Sequence, residues 1–283
     1  MKIKEQLQNL LKNKIDYSLL NNLPSGYSRT GDIAIFHHID KEIQNYRRII
    51  GEAIIQLDPQ VNVVVEQRTT HTIHRKPQII HLAGEKRYNT EHKEFDTIFH
   101  LDVSEITFSP GNKGERNYLI KTVRNNEIIC DMFACIGNLS LPIIVNNSTV
   151  KAHGIEINET AFKFLKKNIK VNKLEERYFP ILGDNREKTP RNIGNRILMG
   201  YFETDEKQLE CAIQAINQEG WIHYHNIAPR DDLTQSEKFV EKMSKKGYFV
   251  IKELKSRKIK KYSPRQYHIC TDIFIQKNEG KNL

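Results

Sequence analysis

Segment 1–20 alternates apolar and charged positions as an amphipathic helix does, without the apolar run or cleavage signature of a secretion signal. To about residue 122, helical segments mix with short β-branched runs such as Val61-Asn62-Val63-Val64-Val65, the pattern of a small α+β unit. Its middle, 66–93, gathers Arg68, His71, His74, Arg75, Lys76, His81, Lys86 and Arg87 with few long apolar residues. An exposed basic surface and a solvated loop both read this way. From Glu127 onward, short apolar runs alternate with helical segments, as in βα units feeding a parallel sheet. Strands are expected at about 128–133, 151–156, 178–182, 196–199, 220–225, 247–254 and 267–275, with helices near 139–147, 159–172, 207–218 and 236–245. In the second of these helices Ala161, Phe164, Leu165 and Ile169 share one face, while Lys163, Lys166, Lys167 and Lys170 fill much of the rest. The last two strands follow each other with no crossover helix, which predicts an antiparallel strand closing an otherwise parallel sheet. The expected division is an N-terminal α+β domain, 1–122, and an α/β domain, 123–283.

Composition narrows the partners. Lys and Arg number 44 against 35 Asp and Glu, so 44 − 35 leaves the 283-residue chain at +9, and a polyanion, nucleic acid first, is the expected partner. Cys130, Cys135, Cys211 and Cys270 are too few for a disulfide scaffold and form no Cys-x-x-Cys pair. They read as reduced thiols of a cytosolic protein, with no metal site implied. No segment approaches the roughly 18 uninterrupted apolar residues of a membrane span.

In an open α/β sheet, ligands bind beyond the carboxyl ends of the strands. The turn after the first strand of the α/β domain, Asp131-Met132-Phe133-Ala134-Cys135-Ile136-Gly137-Asn138-Leu139, has one glycine where a dinucleotide fingerprint needs three. A pyrophosphate is therefore disfavoured and a nucleoside cofactor without phosphates fits better. Glu156, at the end of the second strand, can accept hydrogen bonds from both ribose hydroxyls; an acid at a helix N-terminus would look the same. After the third strand, Asp184 and Asn185 offer a carboxylate and an amide to adenine, or form an Asx-turn. Acids at three successive strand ends together point to S-adenosylmethionine.

The words Asp131-Met132-Phe133-Ala134, Arg196-Ile197-Leu198-Met199-Gly200-Tyr201, Ile222-His223-Tyr224-His225-Asn226 and Tyr262-Ser263-Pro264-Arg265 resemble the family that joins the archaeal-eukaryal tRNA guanine N1-methyltransferases to the wybutosine-pathway tRNA(Phe) 3-amino-3-carboxypropyl transferases. The resemblance runs over about residues 31–275. It implies a class I S-adenosylmethionine-dependent, Rossmann-like fold with a small N-terminal α+β domain. It further implies S-adenosylmethionine as co-substrate, without a metal, and tRNA(Phe) as partner, while no obligate protein partner is implied; the cysteines and the lack of an apolar span read as cytoplasmic, away from membranes. The methyltransferase branch carries Asn-x-Pro after its fourth strand, where this chain has Gly200-Tyr201-Phe202. Phe108-Ser109-Pro110-Gly111-Asn112, Glu115-Arg116 and His223-Tyr224-His225-Asn226 look like the transferase branch. That branch moves the aminocarboxypropyl group to 4-demethylwyosine beside the anticodon and releases 5′-methylthioadenosine; guanine N1-methylation at the same position is the alternative.

By the resemblance, segment 108–116 belongs to the cofactor site and is a candidate RNA contact. Ser109 and Arg116 would lie at the methionine end, Phe133 in the first cofactor turn, Glu156 at the ribose, and Asp184 with Asn185 at the adenine. A guanidinium fork suits a carboxylate, though Arg116 paired with Glu115 or another acid, and Ser109 as a turn residue, remain open. Cys135 stands where the family usually has glycine. The acceptor carbon must lose a proton, for which His223, His225 and Glu187 are candidates, none decisive. Lys252, Lys255, Arg257, Lys258, Lys260, Lys261 and Arg265, interleaved with Tyr262 and Tyr267, can hold phosphates and stack on bases. Arg75 and Lys76 are the alternative surface, and lysines at a sheet edge also deter aggregation. Phe133, Tyr201 and Phe202 are candidate walls for an unstacked base.

Overall fold

The computed structural model describes residues 2–68 and 76–278, so His71, His74 and Arg75 lie outside the described residues. Its backbone groups into two compact units, Met1–Lys93 with Ile98–Pro110, and Glu94–Thr97 with Gly111–Leu283.

The first unit opens with α1 (Ile3–Leu11), half the length expected for the N-terminal helix. It continues through β1 (Ser28–Thr30), β2 (Ile33–Phe36), α2 (Arg47–Leu57), β3 (Val63–Arg68) and β4 (Gln78–Gly84). The strands form one sheet in that order, β2 and β3 parallel and the outer pairs antiparallel. Leu7, Leu11, Phe36, Ile50, Ile54 and Val64 form its core, so the apolar faces of both helices close over the sheet. A two-stranded sheet follows, β5 (Asn89–Glu94) and β6 (Thr97–Asp102). Phe95 and Asp96 between them both have positive φ, 49° and 56°, the signature of a two-residue hairpin turn.

The second unit is built on α3 (Lys113–Thr122), β7 (Ile128–Asp131), α4 (Ser140–Asn146), β8 (Lys151–Glu156), α5 (Glu159–Val171), β9 (Tyr178–Leu182) and α6 (Asn185–Lys188). Then come β10 (Gly194–Met199), α7 (Glu206–Ala215), β11 (Ile216–Pro229), α8 (Gln235–Ser244), β12 (Phe249–Ser263) and β13 (Gln266–Lys277). The seven strands are ordered β12-β13-β11-β10-β7-β8-β9. Neighbours from β9 to β11 are parallel, and β13 runs antiparallel to both β11 and β12. This is the class I S-adenosylmethionine-dependent, Rossmann-like fold. Local capping sets its helices: Asn158 accepts the N–H groups of Thr160 and Ala161 to start α5, and Asp205 with Gln208 forms a capping box on α7. Met132, Ile197, Met199, Leu209, Ile213, Ile222 and Ile273 belong to the core of this unit.

Three expectations change. The antiparallel strand does not close the sheet but inserts between β11 and β12, leaving β12 at the edge. The strand expected at 247–254 continues to Ser263, because ladder bonds to β13 carry a lysine-rich segment whose composition alone reads as loop. The break expected after residue 122 falls instead at Pro110 and Gly111, since α3 packs on α4 and belongs to the second unit.

Candidate active site

At the carboxyl end of β7, Asp131 is buried. Its Oδ2 accepts the Ser140 hydroxyl at 2.6 Å and its Oδ1 the Phe133 N–H at 3.2 Å, while Ser140 Oγ lies 2.7 Å from the Tyr178 hydroxyl. Burial pushes the Asp131 carboxyl up to about 6. The following turn takes positive φ at Cys135 (51°) and Gly137 (92°). A Cβ at Gly137 would meet the Leu141 side chain at 2.2 Å, so this one glycine is required. Cys135 adopts a left-handed conformation that costs an L-residue about 1–2 kcal/mol and that a glycine would take without strain.

Glu156, at the end of β8, reaches across to that turn. Its Oε2 accepts the Cys135 N–H and its Oε1 the Asn158 N–H, both at 2.7 Å. Both oxygens are acceptors, the chemistry that a pair of vicinal hydroxyls calls for. Asn138 Oδ1, buried in the same turn, has no hydrogen-bond partner. These groups fit a nucleoside.

Asp184 caps α6 through the Arg186 N–H at 2.8 Å and holds the Arg186 guanidinium at 3.0 Å, the Asx geometry left open by the sequence. Asn185 is buried and donates to the Met132 carbonyl at 2.8 Å while accepting from Gln208 at 3.0 Å. Its amide therefore pins the third turn to the first. Phe133 stacks on Tyr201, ring centroids 5.4 Å apart and planes 16° from parallel, just past the ends of β7 and β10. Phe202 meets Tyr262 and His268 edge-on at 5.8 and 4.7 Å. Glu187 is exposed on α6.

A chain of charge runs under one face of the same sheet. Arg196 donates through Nε and Nη2 to Glu127 at 2.7 and 3.1 Å, and through Nη1 to His223 Nε2. A guanidinium only donates, so His223 Nε2 is the acceptor and Nδ1–H donates to Asp272 at 2.7 Å. Burial lowers the His223 pKa, in keeping with this neutral tautomer. Arg257 holds Asp272 on one side and both oxygens of Glu115, at 2.9 and 3.0 Å, on the other. Its guanidinium lies 3.6 Å from the Tyr118 ring centre, and the Tyr118 hydroxyl donates to Asp272 at 3.2 Å. Both ring nitrogens of His223 are committed, which removes it as a general base. Glu115, His225 and Cys270 bring ligand-type atoms within 4.8 Å of one another, but a divalent cation there would face the Arg257 guanidinium already holding Glu115.

Arg116 does not pair with Glu115. Its guanidinium is fully buried and Nε donates to Glu94, so in this structure the fork is not an open carboxylate receptor. Ser109 is half-buried in the first unit. On β12 and its turn, Lys252, Lys255, Lys258, Lys261, Tyr262 and Arg265 are exposed, with the Lys258 ammonium 3.9 Å from the Tyr267 ring centre. Arg257 and Lys260 are not on that outer surface: Arg257 serves the buried chain, and Lys260 is half-buried opposite His268. Of the residues missed in the sequence, Glu127, Asp272 and His268, the last two belong to runs that do carry a signal. His223-x-His225 and His268-x-Cys270-x-Asp272 repeat polar groups with period two, as a strand with one polar face does.

The fold and the acid-lined strand ends define a nucleoside-cofactor enzyme of the S-adenosylmethionine class. Residues 90–251 match the TRM5/TYW2 methyltransferase domain and residues 7–87 the TYW2 N-terminal domain, and the chain belongs to this family. It is 33% identical to the tRNA(Phe) (4-demethylwyosine(37)-C(7)) aminocarboxypropyltransferase of Pyrococcus horikoshii, over 98% of each chain. With the tRNA (guanine(37)-N(1))-methyltransferase Trm5b of Methanocaldococcus jannaschii it shares 33% identity, over 97% of this chain and 77% of that one. The crystal structure of P. horikoshii TYW2 in complex with MeSAdo superposes with a TM-score of 0.81 at 31% identity, covering 98% of this chain and all of that one.

Proposed function

We propose that this protein is a cytoplasmic enzyme that transfers the 3-amino-3-carboxypropyl group of S-adenosylmethionine to C7 of 4-demethylwyosine in tRNA(Phe), releasing 5′-methylthioadenosine. The observation that carries the reading is the end of β10. Gly200-Tyr201-Phe202 presents a ring stacked on Phe133 and no carboxamide, so there is a flat apolar platform for a fused base and no amide to read a guanine edge. End-to-end similarity to the transferase, including the TYW2 N-terminal domain, supports it. Among the described residues, no helix is long and apolar enough to cross a membrane.

S-adenosylmethionine supplies a sulfonium whose three carbons are all open to attack, so orientation selects the product. Within the chain, Glu156 holds the ribose, Asn185 and the Asp131 cluster keep the first and third turns in register, and Phe133 with Tyr201 excludes water from one face of the base. The test is the by-product. Given tRNA that carries 4-demethylwyosine, the protein releases methylthioadenosine; S-adenosylhomocysteine with a methyl adduct on guanosine would establish the methyltransferase reading instead.

The exposed lysines of β12 make a second expectation. Neutralising Lys255, Lys258 and Lys261 together flattens the slope of tRNA affinity against salt by about 2–3 units, since each phosphate contact contributes a little under one. Titrations at several salt concentrations measure it, with cofactor affinity unchanged. An unaltered slope would move the RNA surface away from β12.

A further inference from the structure

His225 and His268 project beyond the end of β10. That strand stops at Met199, opposite Tyr224, whereas His225 pairs with Cys270 and His268 with Ile227 farther along the β11–β13 ladder. Both imidazoles are buried, with His225 Nδ1 and His268 Nε2 2.8 Å apart. One of the two must donate. If His225 Nδ1 carried the hydrogen, His268 Nε2 would be the acceptor and His268 Nδ1–H would be a buried donor with no acceptor. If His268 Nε2 carries it, the hydrogen of His225 sits on Nε2, which also has no hydrogen-bond partner but lies 3.7 Å from the Glu115 carboxylate. The second arrangement places the hydrogen toward a negative charge and is favoured. It leaves His268 Nδ1 as a bare lone pair, buried and without a hydrogen-bond partner, on a ring whose other neighbour is Phe202 at the end of β10.

We infer that His268 Nδ1 is the proton acceptor of the transfer reaction, backed by a relay through His225 to Glu115; this rests on the reading proposed above. In the step, the ring electrons at C7 of the acceptor form a bond to the γ-carbon and the carbon–sulfur bond breaks, its electron pair leaving on neutral methylthioadenosine. The base, now cationic, gives up its C7 proton to His268 Nδ1, and the C–H electron pair restores the aromatic ring. The imidazolium so formed is stabilised through its Nε2–H bond to His225 and by the negative charge of Glu115, 3.7 Å from His225 Nε2. A weak base suffices, because the carbon acid is a cation. Arg257 and Lys260 lower the proton affinity of the pair, while Glu115 and Asp272 raise it, with His223 and Cys270 as the other titratable neighbours. Burial, the largest influence, pushes both histidines down to about 3, so at neutral pH both are uncharged and ready to accept. The acceptor base takes the place that the Phe202 ring holds against the imidazole.

His268→Gln is the discriminating variant, since its side-chain amide can still donate to His225 but has no Nδ1 acceptor. Single-turnover transfer to 4-demethylwyosine tRNA falls about 10²-fold or more, while cofactor affinity, tRNA affinity and melting temperature stay near wild type. With the acceptor deuterated at C7, the variant shows a primary isotope effect larger than that of the wild type, because proton loss has become slow. Wild-type speed in a folded His268→Gln protein, or a slowed variant without the isotope effect, overturns the assignment. If His268→Gln does not fold, His268→Ala decides: recovery of rate on adding imidazole supports the role, and a rate unmoved by imidazole removes it. Release of S-adenosylhomocysteine by the wild type overturns the reaction itself, and that failure is read without any variant.

Discussion

Glu156→Ala weakens S-adenosylmethionine binding by about 2–4 kcal/mol, the worth of two charge-assisted hydrogen bonds to a ribose diol. The structure makes this more than a strand-end rule, because the carboxylate is already oriented by the N–H groups of Cys135 and Asn158. The same two bonds mean that the variant also loosens the first cofactor turn, where Cys135 holds a positive φ. A cofactor lacking the 2′-hydroxyl separates the two effects. Calorimetry with both cofactors on both proteins forms a double-mutant cycle: the wild type loses affinity for the deoxy analogue and the variant does not. Equal losses in both proteins would reduce Glu156 to a turn cap.

Arg196→Met destabilises the protein by about 3–5 kcal/mol, because it strips the cation from a buried carboxylate, Glu127, and the donor from His223. For a chain of this size the melting temperature drops by roughly 10 °C. Changing Glu127 to Gln in the same protein recovers much of the loss, since the penalty is the unpaired buried charge rather than the absence of attraction. Thermal melts of the two variants decide it, and a single variant melting at the wild-type temperature would show that water or a rearranged partner satisfies Glu127. The chain also sets an acid limit. Asp272 is held well below the usual carboxylate range by His223 and Arg257, against the opposing effect of its burial. Its contribution is therefore present above the unfolded value, near pH 4, and is lost as the pH falls below it.

Strands β8 and β9 could be bounded residue by residue from sequence, and β7 and β10 to within two residues, because a short apolar run between polar turns is a local signal. That Asp131, Glu156 and Asp184 stand at the carboxyl ends of parallel strands could be read for the same reason, and their cofactor roles belong to the proposal. The family resemblance lay in contiguous words and was equally local. What the tertiary structure alone decided is which distant residues meet. Arg257 reads as one more RNA-facing lysine-rich position until its pairing with Glu115, 142 residues away, turns it inward. Arg116 reads as a carboxylate fork or as half of an ion pair alike until its burial and the Nε–H bond to Glu94 are seen. His223, His225 and His268 are chemically identical in sequence; the fold commits both nitrogens of the first, gives the second a carboxylate behind it, and leaves one lone pair on the third. Side-chain chemistry and local periodicity are properties of the chain, whereas protonation and exposure depend on neighbours that only the ladder between β11, β13 and β12 brings together.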